Sequence, residues 1–395
     1  MIKLGCSESL PKNWSWVEAD EIMDVRDGTH DSPKAVANGI PLVTSKNLVG
    51  GQIDFSTCNF ISQEDHVAIA RRSAVENGDI LYAMIGTIGN PVIVKKDFEF
   101  SIKNVALFKF DKSEEVHNRF IFHFLNSNLA TRQFNSNSRG GTQKFVSLGN
   151  IRGLQIPLPP LDEQKRIAAI LDKADAIRRK RQQAIQLADD FLKSVFLDMF
   201  GQTLKKATGK VRFGDVAKLD AKMVDPREED FLDLLHIGPD RIEKHTGKLL
   251  PAKTAREEGL ISKKFLFDSR YVLYSKIRPY LRKAALPDFT ALCSADMYPI
   301  KPMQGVVTRE FIWSLLLSNF FDNYVSSLPA RANIPKMNRT ELSNFEFSLP
   351  EYEKVEEYSK IVRATFERDK KTLKSLQFTN NLFASLSQKV FAGEL

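Results

Sequence analysis

The sequence predicts an α+β protein made of two pseudo-repeated globular units joined by two long helices that pair as an antiparallel coiled coil. Three observations carry this reading. Similar segments recur at a near-constant shift of about 191 residues, strand-like runs open each half, and each half closes on a long heptad-like stretch.

The repeat is visible in four places. "ILYAMI" (80–85) returns as "VLYSKI" (272–277), and "FIFHFLNSN" (120–128) returns as "FIWSLLLSN" (311–319). "IRGLQIPLP" (151–159) matches "LSNFEFSLP" (342–350) in its apolar alternation and final proline, and "FLKSVFLDMF" (191–200) matches "LFASLSQKVF" (382–391) in pattern. One short match is within chance; four in one order at one shift imply duplication.

In the first half, "DILYAMI", "NPVIVKK" and "VALFKF" read as strands between turn signals at Gly50-Gly51, Asn77-Gly78 and Gly89-Asn90-Pro91, and residues 118–134 read as helix. From 163 to 199, Ile167, Ile170, Ala174, Ile177, Ala184, Ala188, Phe191 and Val195 form an apolar stripe at mostly three- and four-residue spacings. Pro157, Pro159 and Pro160 keep the preceding chain extended, Asp162 and Glu163 suit the positive end of the helix dipole, and Gly201 is placed as a C-cap. Tyr358, Val362, Thr365, Leu376, Thr379, Phe383, Leu386 and Val390 give the second half a more polar stripe. Such a helix spans roughly 55 Å at about 1.5 Å per residue. With one apolar edge it needs a partner, and the nearest is the equivalent helix; the alternative is that each helix packs on its own globule. The expected divisions are a first globular domain at 1–156, helix one at 157–202, a second globular domain at 203–349 and helix two at 350–395.

Composition sets the class. A chain of 395 residues, 43% hydrophobic and 27% charged, is an ordinary globular protein long enough for two or three domains. It has no apolar run of membrane-spanning length, and its start lacks a signal-peptide pattern, so a cytoplasmic protein without membrane contact is expected. Cys6, Cys58 and Cys293 are scattered, which indicates neither a disulfide frame nor a zinc site. The net charge of +8 is compatible with a polyanionic partner but does not by itself specify one.

The junction "IPLPPLDEQKRIAAILDKAD" (156–175), "RDGTHDSP" (26–33), "GIPLVTSKNLVGGQIDF" (39–55), "GDILYAMIGTIG" (78–89) and "VLYSKIRPYLRKA" (272–284) together resemble the specificity subunits of type I DNA restriction-modification systems. The resemblance covers essentially the whole chain. It implies two target-recognition domains, each reading one half of a bipartite, asymmetric site in double-stranded DNA, and two helices forming an antiparallel coiled coil. It also implies that the helices dock two modification (methyltransferase) subunits, which carry the S-adenosylmethionine chemistry, and that restriction/translocase subunits using ATP and Mg join the assembly. No cofactor is expected on this chain. One departure stands out: the second junction, "LPEYEKVEEYSKI", lacks the double proline and the Glu-Gln pair, so no docking residue is carried onto it.

The sequence offers no engine of its own. It has no G-x-x-x-x-G-K-[ST] loop and no Asn-Pro-Pro-[Tyr/Phe] stretch; Asn90-Pro91-Val92 is the nearest and is expected in a turn. Pro239-Asp240 and Pro287-Asp288 lack a following Glu/Asp-x-Lys, and no two of the six histidines are spaced as a helical zinc pair. A non-catalytic subunit is therefore expected, against two rivals: a fused restriction or methyltransfer enzyme, and a coiled-coil scaffold that touches no DNA.

Base reading calls for Arg and Lys at guanine, Asn and Gln at adenine, and cations or amides at phosphate. Three regions supply such residues. Two loops at equivalent repeat positions offer Arg139, Gln143 and Lys144, and Arg331, Asn333, Lys336 and Arg339; a solvated turn would explain either alone. "SKIRPYLRK" offers Lys276, Arg278, Tyr280, Arg282 and Lys283, which suit phosphate and base contact or the cover of a strand edge. Thr29, His30, Lys46 and Asn47 form the third set, where turn chemistry is the favoured role. The basic run 177–181 is either a solvated helix face or a contact to DNA or a modification subunit, and Trp14, Trp16 and Trp313 are assigned to the core.

Overall fold

The computed structural model describes residues 10–111, 114–137, 145–329 and 335–394. The chain forms two compact units, Met1–Lys180 with Ser375–Leu395, and Arg181–Lys374. It leaves the first unit inside one long helix, Leu161–Leu204, and returns inside another, Tyr352–Phe391.

In the first unit a four-stranded antiparallel sheet runs in the order Asp24–Asp27, Val105–Lys109, Ile80–Ala83, Gly89–Ile93. The strands alternate as period-two patterning requires. Ile80, Tyr82, Ala106 and Phe108 face a core shared with the helices Asn118–Leu125 and Asn128–Asn137. Leu81, Ala83, Val105 and Leu107 face a second core on the other side. The smaller sheet, Asn59–Ile61, Ile40–Val43 and Ser101–Ile102, contributes Val43 and Ile102 to that second core. Gly28 shows why the Asp-Gly turn is needed: a Cβ there would lie 2.3 Å from the carbonyl oxygen of Ile102.

The second unit repeats the plan. Its central antiparallel sheet runs Ala217–Lys218, Met297–Pro302, Val272–Ser275, Ala284–Ala285, with the helices Arg309–Leu317 and Asn319–Ser327 on one face. The repeats diverge in the smaller sheet, which here has four strands, Met223–Val224, Lys264–Phe267, Ala291–Cys293 and His236–Ile237. Cys293 lies in that sheet, buried and free, and its burial pushes the thiol up.

Each unit's core contains parts of both long helices, which run antiparallel. In the first unit Ile167, Ala168 and Leu171 of one helix share a core with Val390 and Phe391 of the other, and the Arg178 guanidinium lies 5.0 Å from the Phe383 ring centre. In the second unit Phe196 and Phe200 lie 5.5 and 5.4 Å from the Tyr358 ring. Mutual pairing and packing on the globules thus occur together. Phe391 meets Phe120 at 5.5 Å in the first unit, and Phe200 meets Phe311 at 5.1 Å in the second. These are the same two repeat positions, but the plug comes from the other repeat's helix.

Several expectations need correction. The first helix has 44 residues, about 66 Å at 1.5 Å each, and Gly201 lies inside it rather than capping it. Its buried edge runs through Leu171, Ile185, Leu192, Phe196 and Phe200, whereas Ile177, Ala184 and Phe191 are exposed. Adjacent apolar pairs such as Phe191-Leu192 offer two registers, and the core takes the second. The expected stripe of the second helix does lie at least partly inside, from Tyr358 to Val390. Trp313 is buried and Trp14 half-buried against the core, but Trp16 is 41% exposed. Asn90-Pro91 sits in a strand, not a turn.

The Glu-Gln pair of the first junction has a structural use. Gln164 is 1% exposed; its Oε1 accepts from the His117 amide at 2.8 Å, and its Nε2 donates to the carbonyls of Glu115 and Pro159 at 2.9 Å each. This side chain ties the helix start to the loop before helix Asn118–Leu125. The second junction has Val355 at that position, also fully buried, and fastens by apolar packing instead.

A second clamp keeps its place but exchanges its charges. In the first unit Arg119 pairs with Asp172, which also accepts a hydrogen bond from His123. In the second unit the matching positions hold Glu310 and Arg363, 3.9 Å apart. Burial alone would raise the Asp172 carboxyl, but the hydrogen bonds from Arg119 and His123 outweigh it and hold that group below the ordinary range. Seating either helix segment on the wrong unit would oppose like charges.

Arg119→Glu is therefore expected to destabilise the first unit by about 1 kcal/mol or more in denaturant melts near neutral pH, with Asp172→Arg added to it restoring much of the loss. Because the Asp172 pKa is depressed, its contribution is present above the unfolded carboxylate range and disappears as pH falls through the lowered folded value. Asp172→Asn should flatten that acid limb; an unchanged limb would remove this clamp as its cause.

Candidate nucleic-acid interface

In both units the segment leaving the central strand is tied to the segment that follows the basic candidate loop. In the first unit Ile85 bridges Phe145, and the Val146 amide donates to the Met84 carbonyl at 3.0 Å. In the second, Ile277 bridges Lys336, the Met337 amide donates to the Lys276 carbonyl at 2.8 Å, and the Arg278 amide donates to the Pro335 carbonyl at 2.8 Å. Val146 and Met337 are both buried and anchor these ties. Two candidate regions that looked separate in sequence thus form one locus at the end of an inner strand. Arg139, Gln143, Lys144, Arg331 and Asn333 lie outside the described residues.

The second unit's locus is cationic. Lys276 Nζ donates to the Ala295 carbonyl at 2.6 Å and lies 3.7 Å from Asp296 Oδ1; Lys336 Nζ lies 3.7 Å from the same oxygen. Arg339 donates to the Leu219 carbonyl at 3.1 Å, with its guanidinium 5.9 Å from the Tyr298 ring centre. Burial pushes the Tyr298 phenol up, against the pull of Arg339. Tyr280 is 50% exposed, and Arg278 is exposed on a backbone at φ 48°, ψ 59°. Left-handed backbone costs an L-residue roughly 1 kcal/mol, so the chain holds Arg278 there against its preference.

Arg282 is a correction. Its guanidinium donates to Asn319 Oδ1 at 2.7 Å and to Asp322 Oδ2 at 2.6 Å, which fastens the loop to helix Asn319–Ser327 rather than presenting it outward. Lys283 likewise donates inward, to the Pro239 carbonyl at 2.7 Å.

Among the described residues the first unit's locus carries fewer cations. An open groove of about 720 Å³ is lined by Lys46, Asn59, Phe60, Thr87, Lys103 and Asn104. Lys46 is exposed, and Lys103 Nζ donates to Ser32 Oγ at 2.5 Å. His30 sits beside the groove with its ring nitrogens 2.8 Å from Asp27 Oδ2 and 2.8 Å from Asn104 Oδ1. Thr29 Oγ1 accepts from the Asp31 amide at 3.1 Å, which is the turn capping expected of it. Asn47 takes the turn role favoured for its set. It is 3% exposed; its Oδ1 accepts from Thr44, and its Nδ2 donates to the Asp54 carbonyl and Thr57 Oγ1, so its amide is fully used within its own turn.

In the basic run, Arg178 and Arg179 both bond to Asp175, at 2.5 and 2.6 Å. Asn104 and Asp296 were missed by sequence reasoning. Both immediately precede a long inner strand of their sheets, and it is the sheet registers that pair them. Among the described residues no three His, Cys, Asp or Glu side chains gather to hold a metal, and no helix is long and apolar enough to cross a membrane.

Fold and loci define a duplicated α+β chain that carries one plan of loop platform twice, with unlike side chains on each. Residues 11–187 match the family described as the Type I restriction modification DNA specificity domain. The EcoDI specificity subunit of Escherichia coli, a type I restriction enzyme component, is 26% identical over 98% of this chain and 89% of its own length. The crystal structure of a type I restriction-modification S subunit from M. genitalium superposes with a TM-score of 0.58 at 13% identity, covering 99% of this chain and 98% of that one. A chain from a structure titled for complex assembly and conformational transition of the type I R-M system gives 0.52 at 16% identity, covering 98% and 100%. Along nearly its whole length the chain is thus similar to specificity subunits of type I restriction-modification systems.

Arg278→Gly separates strain from contact. It relieves the left-handed backbone, so the unfolding free energy should hold or rise by about 1 kcal/mol, while affinity for duplex DNA should fall several-fold. A variant that folds and binds like the parent would remove Arg278 from the interface.

Proposed function

We propose that this chain is the non-catalytic DNA-reading subunit of a type I restriction-modification complex. Each unit reads one part of a bipartite, asymmetric duplex target, and the long helices dock two modification subunits. The observation that carries the reading is the doubled platform with unlike faces: Ile85–Phe145 and Ile277–Lys336 are equivalent ties, yet among the described residues one sets Asn59, Thr87 and Asn104 beside Lys46 and Lys103, and the other sets Lys276, Arg278 and Lys336 around Asp296. Unlike readers on one frame suit an asymmetric site, since amides favour adenine and cations favour guanine or phosphate.

Docking is supported by apolar side chains that the long helices leave uncovered. They are Ile177, Phe378 and Leu382 in the first unit and Leu187, Phe191, Leu197 and Leu373 in the second. Exposed apolar residues on a helix already packed along another edge fit a protein partner. The S-adenosylmethionine chemistry then belongs to the modification subunits, and ATP and Mg belong to the restriction/translocase subunits that complete the complex. We place the assembly in the cytoplasm, with its DNA.

Methylome sequencing of the host with and without this gene tests the function directly. One split, asymmetric motif should lose its modification when the gene is deleted; an unchanged methylome would contradict the proposal. The purified chain, given S-adenosylmethionine and unmethylated DNA, should incorporate no methyl groups. Its binding to duplex should weaken steeply between about 50 and 200 mM salt, as phosphate contacts release counterions.

A further inference from the structure

We infer that Asp296 is a charge gate on the second unit's basic locus, limiting how tightly Lys276 and Lys336 grip the phosphate backbone; the inference rests on the DNA-reading function proposed above. One carboxylate oxygen lies 3.7 Å from both ammonium groups, a distance of electrostatic attraction but beyond a hydrogen bond. Asp296 therefore holds both cations in its field without consuming their donors. Its side chain is 42% exposed and that of Lys336 is 50% exposed, while Lys276 is 24% exposed, so an arriving phosphate meets Lys336 first with Lys276 behind it. An approaching phosphate meets a like charge between its two partners. The backbone term, which is indifferent to sequence, is reduced, and base contacts carry a larger share of the binding.

The first unit supplies an independent observation. The sheet registers are superimposable, with Ala106 opposite Tyr82 in one unit and Tyr298 opposite Tyr274 in the other. Asn104 and Asp296 are then the same position, two residues before these partners. The first unit holds a neutral amide where the second holds a charge. The fold thus accepts either residue there, and the acid appears on the side with Lys276 and Lys336. Because a genome presents a vast excess of unmatched sites, restraint of backbone affinity is a determinant of specificity.

The test compares the full-length chain with Asp296→Asn, which installs the first unit's residue, and with Asp296→Ser, using a random-sequence duplex over a salt series. Both variants should bind random duplex roughly tenfold more tightly near 50 mM salt, with a log affinity against log salt slope steeper by about one and the difference vanishing toward 1 M. Thermal midpoints confirm that the variants fold. Equal or weaker binding with an unchanged slope overturns the gate. The double variant Lys276→Gln with Lys336→Gln distinguishes the two levels: weaker binding by the double variant with no gain in Asp296→Asn rejects the gate alone, whereas parental binding by the double variant rejects DNA reading by this face and the gate with it.

Discussion

Each repeat of this protein has a core that the other repeat's long helix completes. In the first, the ring cluster around Phe120 and Phe124 is closed by Phe391, which the sequence places some 270 residues away. In the second, Phe311 is closed by Phe200, whose helix begins in the first unit. An aromatic plug of this kind removes a large apolar area from water and adds ring–ring contact, so its loss is among the costliest single changes a core can suffer. Both long helices therefore contribute to both cores, and the heptad-like stripes follow from that demand.

The same constraint accounts for the fasteners. Gln164 and Val355 occupy one position and secure the helix starts by different means, three hydrogen bonds in one case and apolar packing in the other. The Arg119–Asp172 and Glu310–Arg363 pairs keep the clamp and invert its polarity. A duplicated chain runs the risk that each helix seats on the wrong copy of a similar surface. Opposite polarity at the clamp and unlike chemistry at the helix start both disfavour that error. On such a frame the loops are free to diverge, because the ties at Met84 and Lys276 use backbone groups that any side chain permits. Function is then written in the exposed residues while the platform stays constant.

Much of this was legible in the sequence. The four matching segments found the duplication, and two of them contain the plug and its socket, Phe200 with Phe391 and Phe120 with Phe311. Strand-like apolar runs located the central strands because those strands are buried on both faces of a two-core unit. What periodicity left ambiguous was the helix register, since adjacent apolar residues at 170–171, 191–192 and 195–196 satisfy a heptad equally well, and only packing against a particular sheet decides between them. Composition drew attention to Arg282 and Asn47, but composition does not show where a side chain turns: one clamps a helix and the other fills a turn. Asn104 and Asp296 escaped notice because neither belongs to a charge run, and their meaning arises only from what stands beside them.

The completion of each core by the other repeat's helix is most directly tested by hydrogen exchange on a Phe391→Ala variant of the full chain. The account expects amide protection to fall in the first unit's strands Ile80–Ala83 and Val105–Lys109, by an amount reflecting about 3 kcal/mol or more, and to stay at parental levels in Val272–Ser275 and Met297–Pro302. Undiminished protection in the first unit's strands would mean that its core closes without the distant helix, and would contradict the account.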